Sequence, residues 1–407
     1  MTSENRGRGT DSSVPRAVLH RWAEARDFAG AAFKGTAWSD GALRLEFAEN
    51  TETFVDQHGH ETLAWDYATC STGWRDLPFP ADELIPSWTA HTPTGTRLTV
   101  LLRVRDAGGA VSPWYVMAHW ASTDEVVHRT TVPGQTGPFG TADVDVFVAQ
   151  AGRPALAYEL EVRLARTQDA PEGPTVRALH LAASSTPPDH RPTVSGPGGA
   201  WGRILDVPRR SQELHTGHSP QWDGGGEAWS APACTAMLTE YFGCGPGDDE
   251  MAWIDPADTA PHVDFTARAV YDYAYRGCGN WAFNAAHPAR YGLDGLVTRL
   301  RSLNELERFI SAGIPIATAQ SFRIGELAGA GYSPAGSIKI VCGFTADGDV
   351  VVNDPLSATD EEVRRTYPRG EFERVWLSAS GGGGVVYFVH PSDRPRPDNV
   401  PGLDPNW

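Results

Sequence analysis

The chain has 407 residues, with 51 acidic against 34 basic residues and a formal net charge of −17, a field that repels phosphate and so excludes nucleic acid and anionic membrane surfaces as partners. Hydrophobic residues are 41% and charged residues 21%, which excludes wholesale disorder. The length suggests two or three domains, at roughly 100–200 residues each, and the apolar runs are strand-sized, well short of the roughly 20 residues of a membrane-spanning helix.

Residues 1–17 read as a polar tail without the apolar central segment of a secretory signal, so a cytoplasmic setting is expected. From 18 to 185 short alternating segments recur between Gly, Pro, Asp and Asn: Leu43–Ala48, Leu63–Ala68, Arg97–Arg105, Trp114–Trp120, Asp143–Ala149, Ala157–Ala165 and Val176–Ala182. Alternation with β-branched and aromatic residues predicts strands with one buried face, hence an all-β sandwich of the jelly-roll kind. Trp38, Trp65, Trp74, Trp88, Trp114 and Trp120 fit either the packing of such a domain or a sugar-stacking face.

Residues 186–203 are rich in Pro, Gly and Ser and read as a linker. From 204 to 392 the pattern changes. Pro232–Phe242 and Thr266–Tyr275 read as helices, and Ser302 with Glu305 forms a capping box for a helix ending at Gly313. Strands follow at Ile314–Ala319, Ser337–Phe344, Val350–Asn353 and Val385–Val389. Helices first and strands after predict an α+β domain with an antiparallel sheet. Residues 393–407 carry several prolines and read as a loose tail.

Five cysteines, Cys70, Cys234, Cys244, Cys278 and Cys342, form neither a disulfide framework nor a zinc pattern. No Cys or carboxylate in the sequence pattern completes a metal set around His58 and His60 or around His215 and His218, so these read as loop histidines. No metal and no cofactor is expected. Gly224–Gly226 and Gly381–Gly384 lack the Lys-Ser/Thr ending of a phosphate cradle and read as loops. Lysine occurs only at Lys34 and Lys339.

Three segments of the second domain belong together: Trp229-Ser230-Ala231-Pro232-Ala233-Cys234, Gly336-Ser337-Ile338-Lys339-Ile340-Val341-Cys342-Gly343-Phe344 and Val350-Val351-Val352-Asn353-Asp354-Pro355. A helix start, then a strand, then a strand ending in Asn-Asp-Pro resembles the papain-like bacteriocin-processing (double-glycine leader) cysteine peptidases. More closely the chain resembles their two-domain actinobacterial branch, in which a β-rich part precedes the peptidase part. The resemblance implies an α+β papain-like fold for 204–392. It also implies positions for a nucleophilic Cys two residues before the Pro, a His opening the strand after the Gly, and an orienting Asp. Here these positions hold Ser230, Ser337 and Asp354, so two of the three triad members are replaced. The resemblance further implies an oxyanion-donating Gln upstream of the nucleophile, matched by Gln212, with Gln221 as second candidate. Cys234, one turn past Ser230, and Cys342 read as packing.

On a strand Ser337 and Lys339 share a face, about 7 Å apart along the chain. Lys339 then has three readings: a structural ion pair with Asp354, a desolvated base for a serine, or a surface residue. His262 and His287 read as structural. The expected function is a cysteine-peptidase-like protein with a degenerate triad, repurposed for acyl or amide chemistry on a peptide or small molecule, as in specialised-metabolite biosynthesis. The alternatives are a serine hydrolase using Ser230 with Lys339 or another base, and a non-catalytic peptide- or glycan-binding protein.

Overall fold

The computed structural model describes residues 14–378 and 382–407. Of the expected polar tail only residues 14–17 fall within them, and Gly381 of the second glycine run lies outside.

The N-terminal segments pair into two antiparallel sheets. Ala155–Thr167 lies at the centre of one, between Thr96–Arg105 and Leu63–Ser71. Thr175–Ser185 is central to the other, beside Glu83–His91 and Arg16–Trp22. The period of two seen in the sequence sends Leu98, Val100 and Leu102, and Tyr158, Leu160 and Leu164, to one side of the first sheet. There they share a buried core with Trp22, Trp88, Leu179 and Leu181 of the second. Trp65, Trp88 and Trp120 are fully buried, so these indoles pack the interior, whereas Trp38, Trp74 and Trp114 are half-buried.

The C-terminal part is built on a six-stranded antiparallel sheet in the order Leu293–Arg299, Val385–Pro391, Ile316–Gln320, Ser337–Phe344, Val350–Asn353, Arg364–Tyr367. Five helices accompany it among the described residues: α1 (Ser230–Tyr241), α2 (His262–Val270), α3 (Trp281–Ala286), α4 (Leu303–Ser311) and α5 (Arg369–Leu377). Residues 231–239 of α1 are all buried, as an all-round apolar helix must be. Pro232 falls in its first turn, where the missing N–H costs no helical bond. Only half of the predicted capping box forms at the start of α4: Ser302 Oγ accepts from the Glu305 amide at 3.3 Å, while the Glu305 carboxylate accepts from the Arg301 amide at 2.8 Å.

Three expectations need correction. The helix predicted over Thr266–Tyr275 stops at Val270. Asp272 ends it by accepting from the amides of Ala274 and Tyr275 and from Thr131, offering the backbone an alternative to helical bonding. A strand, Leu293–Arg299, precedes α4, so helices and strands interleave. The C-terminal segment is not loose: Trp407 is buried in the domain core. Asn406 bonds the Arg299 carbonyl at 2.7 Å and Glu305 at 2.9 Å.

The linker too is fastened down. Buried Glu307 accepts from the amides of Gly198 and Ala200 at 2.8 and 2.9 Å, and Glu373 accepts from Ser195. Arg203 and Ile204 then cross the sheet directly over Gly343. The two parts of the chain meet along Leu293–Arg299, where Ser87 Oγ accepts from the Val297 amide at 3.1 Å and Arg299 pairs with Glu83. No helix of the described residues is long and apolar enough to cross a membrane.

At Gly343 an added Cβ would run into the Arg203 carbonyl and the Ile204 Cα. Gly343→Ala is therefore expected to lift the linker off the sheet and lower stability by about 1–3 kcal/mol, the usual range for overpacking. The measurement is the urea midpoint, and an unchanged midpoint would refute the close crossing.

Candidate active site

The expected site residues gather at one end of the central strands. Ser230 is the first residue of α1, held there by Trp229, which is fully buried and donates its indole N–H to the Trp222 carbonyl at 2.7 Å. Ser230 Oγ accepts from the Ile338 amide at 3.2 Å, tying the helix start to the strand that carries Ser337 and Lys339. All eight residues of that strand are buried.

Alternation puts Ser337 and Lys339 on one face, and the lysine folds back so that Nζ donates to Ser337 Oγ at 2.8 Å. The same Nζ lies 4.0 Å from Asp354 Oδ2, both side chains being 0% exposed. It also lies 5.2 Å from the ring centres of Phe322 and Tyr332, within cation–π range. The third reading of Lys339, as a surface residue, is thereby excluded. Burial pulls the ammonium below its ordinary range, and Asp354 opposes that pull.

Asp354 has a dense set of donors. Tyr332 and Tyr367 each give their hydroxyl to Oδ2 at 2.6 Å, and the Leu356 amide reaches Oδ1 at 3.2 Å. Burial, then the Asp354 charge, pushes both phenols far above their usual range, so they remain donors.

Gln212 is brought to this end by its own amide, which donates to the Pro355 carbonyl at 2.9 Å. Its side-chain nitrogen is spent on the Glu227 carbonyl at 2.7 Å and on Glu213 at 3.1 Å. It therefore offers its carbonyl oxygen, in place of the N–H expected of an oxyanion donor. Gln221 is exposed and does not border the cleft.

Neither cysteine near the site is poised to react. Cys234 is fully buried, and burial followed by the nearby Asp354 charge pushes its thiol well above the ordinary range. Cys342 is buried behind the strand and pushed up to about 12 by burial. A thiolate needs the opposite setting. His287 is held neutral, pushed down to about 3 by burial. Neither His262 nor His287 borders the cleft.

A cleft of about 750 Å³ opens over Ser230, Ser337 and Gln212, within the range of small-ligand sites. Its far wall comes from the N-terminal sheets through Asp82, Glu83 and the turn Asp143-Val144-Asp145. Val144 takes φ 53, a strained region for a β-branched residue. Sequence reading missed Tyr332, Tyr367 and this turn. No local pattern announces them, because each reaches the site from a distant loop or strand.

The histidine pairs also differ from expectation. Tertiary packing supplies the carboxylates that the sequence pattern lacks: Asp264 accepts from His215 at 2.7 Å and from His218 at 3.0 Å, and Asp56 sits with His60 and His128. Each trio has the residue types to hold a metal ion. In the first, Asp264 takes the Nδ1 of each histidine, and the buried Nε2 of His215 has no partner among the described residues.

Residues 18–184 match the family described as Peptidase C39 N-terminal domain, of actinobacterial type, and residues 204–383 match the Peptidase C39-like family. No curated protein sequence matches the chain. A solved structure described as an exo-beta-agarase aligns over 49% of this chain at 10% identity and a TM-score of 0.20, too weak to bear on fold or function. The chain spans 27% of that protein's length.

If the cysteine environments are as described, iodoacetamide labels Cys244, the one half-buried thiol, first. Cys70, Cys234, Cys278 and Cys342 are expected to react only on unfolding, as read by peptide mass mapping. Fast labelling of Cys234 in the native protein would contradict the buried thiol.

Proposed function

The chain joins an actinobacterial Peptidase C39 N-terminal domain to a Peptidase C39-like domain and so belongs to the two-domain branch of that family. From that premise we propose a protein that keeps the fold and substrate cleft of a cysteine peptidase and holds a peptide or small molecule there without thiol cleavage. In this reading the two N-terminal sheets are a jelly-roll-like sandwich, and the six-stranded sheet with α1 is the papain-like part.

One observation carries the proposal. Asp354 accepts three hydrogen bonds in a fully buried place, and Lys339 Nζ lies 4.0 Å from it, the geometry of a buried ion pair. A lysine kept charged has no lone pair with which to take a proton from a serine. The ion pair occupies the post of the missing imidazole and preserves the architecture, while the open cleft supports continued binding. Five unpaired cysteines fit a reducing compartment.

A second reading has one specific observation in its favour. Lys339 Nζ is 2.8 Å from Ser337 Oγ, the separation of a nucleophile and its base. A serine hydrolase or acyl-transfer enzyme built here would use Ser337, because the lysine's hydrogen bond goes to that hydroxyl and Ser230 is engaged by the Ile338 amide.

Two measurements separate the readings. Lys339→Met should cost about 3–5 kcal/mol of unfolding free energy, the usual consequence of leaving a buried charge unpaired, as read by urea denaturation. A change below about 1 kcal/mol would refute the structural pair. Casein and peptide substrates should remain uncleaved with or without a cysteine alkylator. Turnover that Ser337→Ala abolishes, in a protein that still folds, would replace the binding reading with the Ser337–Lys339 hydrolase.

A further inference from the structure

The walls of the cleft carry a charge pattern that the peptidase fold does not require. Asp82, Glu83, Asp143, Asp145, Asp223 and Glu227 all border it. Arg299 is the one lysine or arginine among the described residues that border it, and it is spent on Glu83 and on the carbonyls of Gly382 and Gly383. Asp82, Asp143 and Glu227 are exposed.

The second observation is of a different kind. Two glutamines of the wall, Gln212 and Gln320, are each 1% exposed, and each keeps a side-chain carbonyl oxygen without any hydrogen-bond partner. The assignment of oxygen and nitrogen is fixed by the partners. Gln212 gives its nitrogen to a carbonyl and a carboxylate. Gln320 gives its nitrogen to Thr318 Oγ1, whose own proton goes to the Lys339 carbonyl. An unpaired buried acceptor costs about 1–3 kcal/mol, so both oxygens mark places where a donor is wanted.

Apart from Asp145, which burial pushes up to about 7, the carboxylates and the free carbonyls are acceptors, so the cleft is complementary to N–H donors bearing positive charge. A single metal ion does not fit. The trios of described residues close enough to share one lie elsewhere, at Asp56, His60 and His128 and at His215, His218 and Asp264. The cleft carboxylates are dispersed over both walls. We propose, resting on the binding reading above, that the cleft takes an extended cation, several ammonium or guanidinium groups spaced along one chain, as in a basic peptide or a free polyamine. The net charge of −17 draws such a ligand in by long-range attraction.

The test uses the whole chain and four probes: an octapeptide of lysine, one of glutamate, a neutral Gly-Ser octapeptide, and spermine. Binding is read by calorimetry at 50 and 500 mM NaCl, on the parent chain and on two variants. Asp143→Asn with Glu227→Gln neutralises the cleft wall. Asp169→Asn with Glu172→Gln removes the same charge from an exposed turn of the N-terminal domain that does not border the cleft. The lysine peptide, spermine or both should bind, more weakly at high salt. The cleft variant should lose about twofold to fivefold per carboxylate, and the distant variant should match the parent. Binding of the peptide alone identifies a peptide ligand, and binding of spermine alone identifies a polyamine. Equal loss in both variants would reduce the effect to net charge and overturn the inference. Tighter binding of the neutral or acidic peptide would overturn it while leaving the binding reading intact. Absence of binding by all four probes would overturn both.

Discussion

The buried carboxylate of Asp354 is the constraint around which the C-terminal domain is arranged. An ionised group cut off from water costs several kcal/mol unless its neighbours replace the lost solvation. Here Tyr332, Tyr367, the Leu356 amide and the Lys339 ammonium do so together. Each comes from a different stretch of chain, so the carboxylate fixes the loop at Tyr332, the edge strand ending at Tyr367 and the central strand at Lys339 relative to one another. The serine side chains of the cleft inherit their positions from that arrangement: Ser337 through the lysine, and Ser230 through the Ile338 amide.

In the proposed reading, the lysine takes the place that a triad imidazole would fill. Ser337 is too small to reach Asp354, which would otherwise be left as an unpaired buried charge. Two residues further along the same face, a long flexible side chain carries a positive group back into the gap. Its hydrogen bond to Ser337 Oγ fills the space between, and the rings of Phe322 and Tyr332 flank the ammonium. Electrostatic balance is thereby restored, but the proton-transfer capacity of a group that titrates near neutrality is not. Cys234 sits next to this charge network as a protonated, packed thiol, which is the ordinary fate of a cysteine in a low-dielectric interior.

The cleft belongs to both halves of the molecule. The C-terminal domain provides Ser230, Ser337 and the glutamines, and the N-terminal sheets provide the strained turn at Val144 with its flanking aspartates. Asp145 is buried against the start of α3, where the Trp281 amide donates to it at 2.5 Å. The wall is thus attached to the domain it faces. The N-terminal sheets are in this sense a part of the site, beyond any separate role.

Much was legible in the sequence because it depends on local chemistry. Period-two alternation marked the strands, since a strand buried on one face must alternate. Ser302 with Glu305 marked a helix start, and Pro232 two residues after Ser230 marked the helix that presents it. The resemblance to the peptidase motifs grouped Ser230, Ser337 and Asp354, and alternation put Lys339 on the face of Ser337. What the sequence could not decide were relations between segments distant in the chain. Asp272 ends α2 through bonds that include Thr131 from the other domain. Asp264 joins His215 to His218, and Trp407 returns to the core from a segment that reads as a tail. The state of Lys339 is of the same kind. Its strand and face follow from the residues beside it, but its charge depends on Tyr332, Tyr367 and Asp354, which only the folded chain brings within reach, and electrostatic energy depends on distance in space, not on distance along the chain.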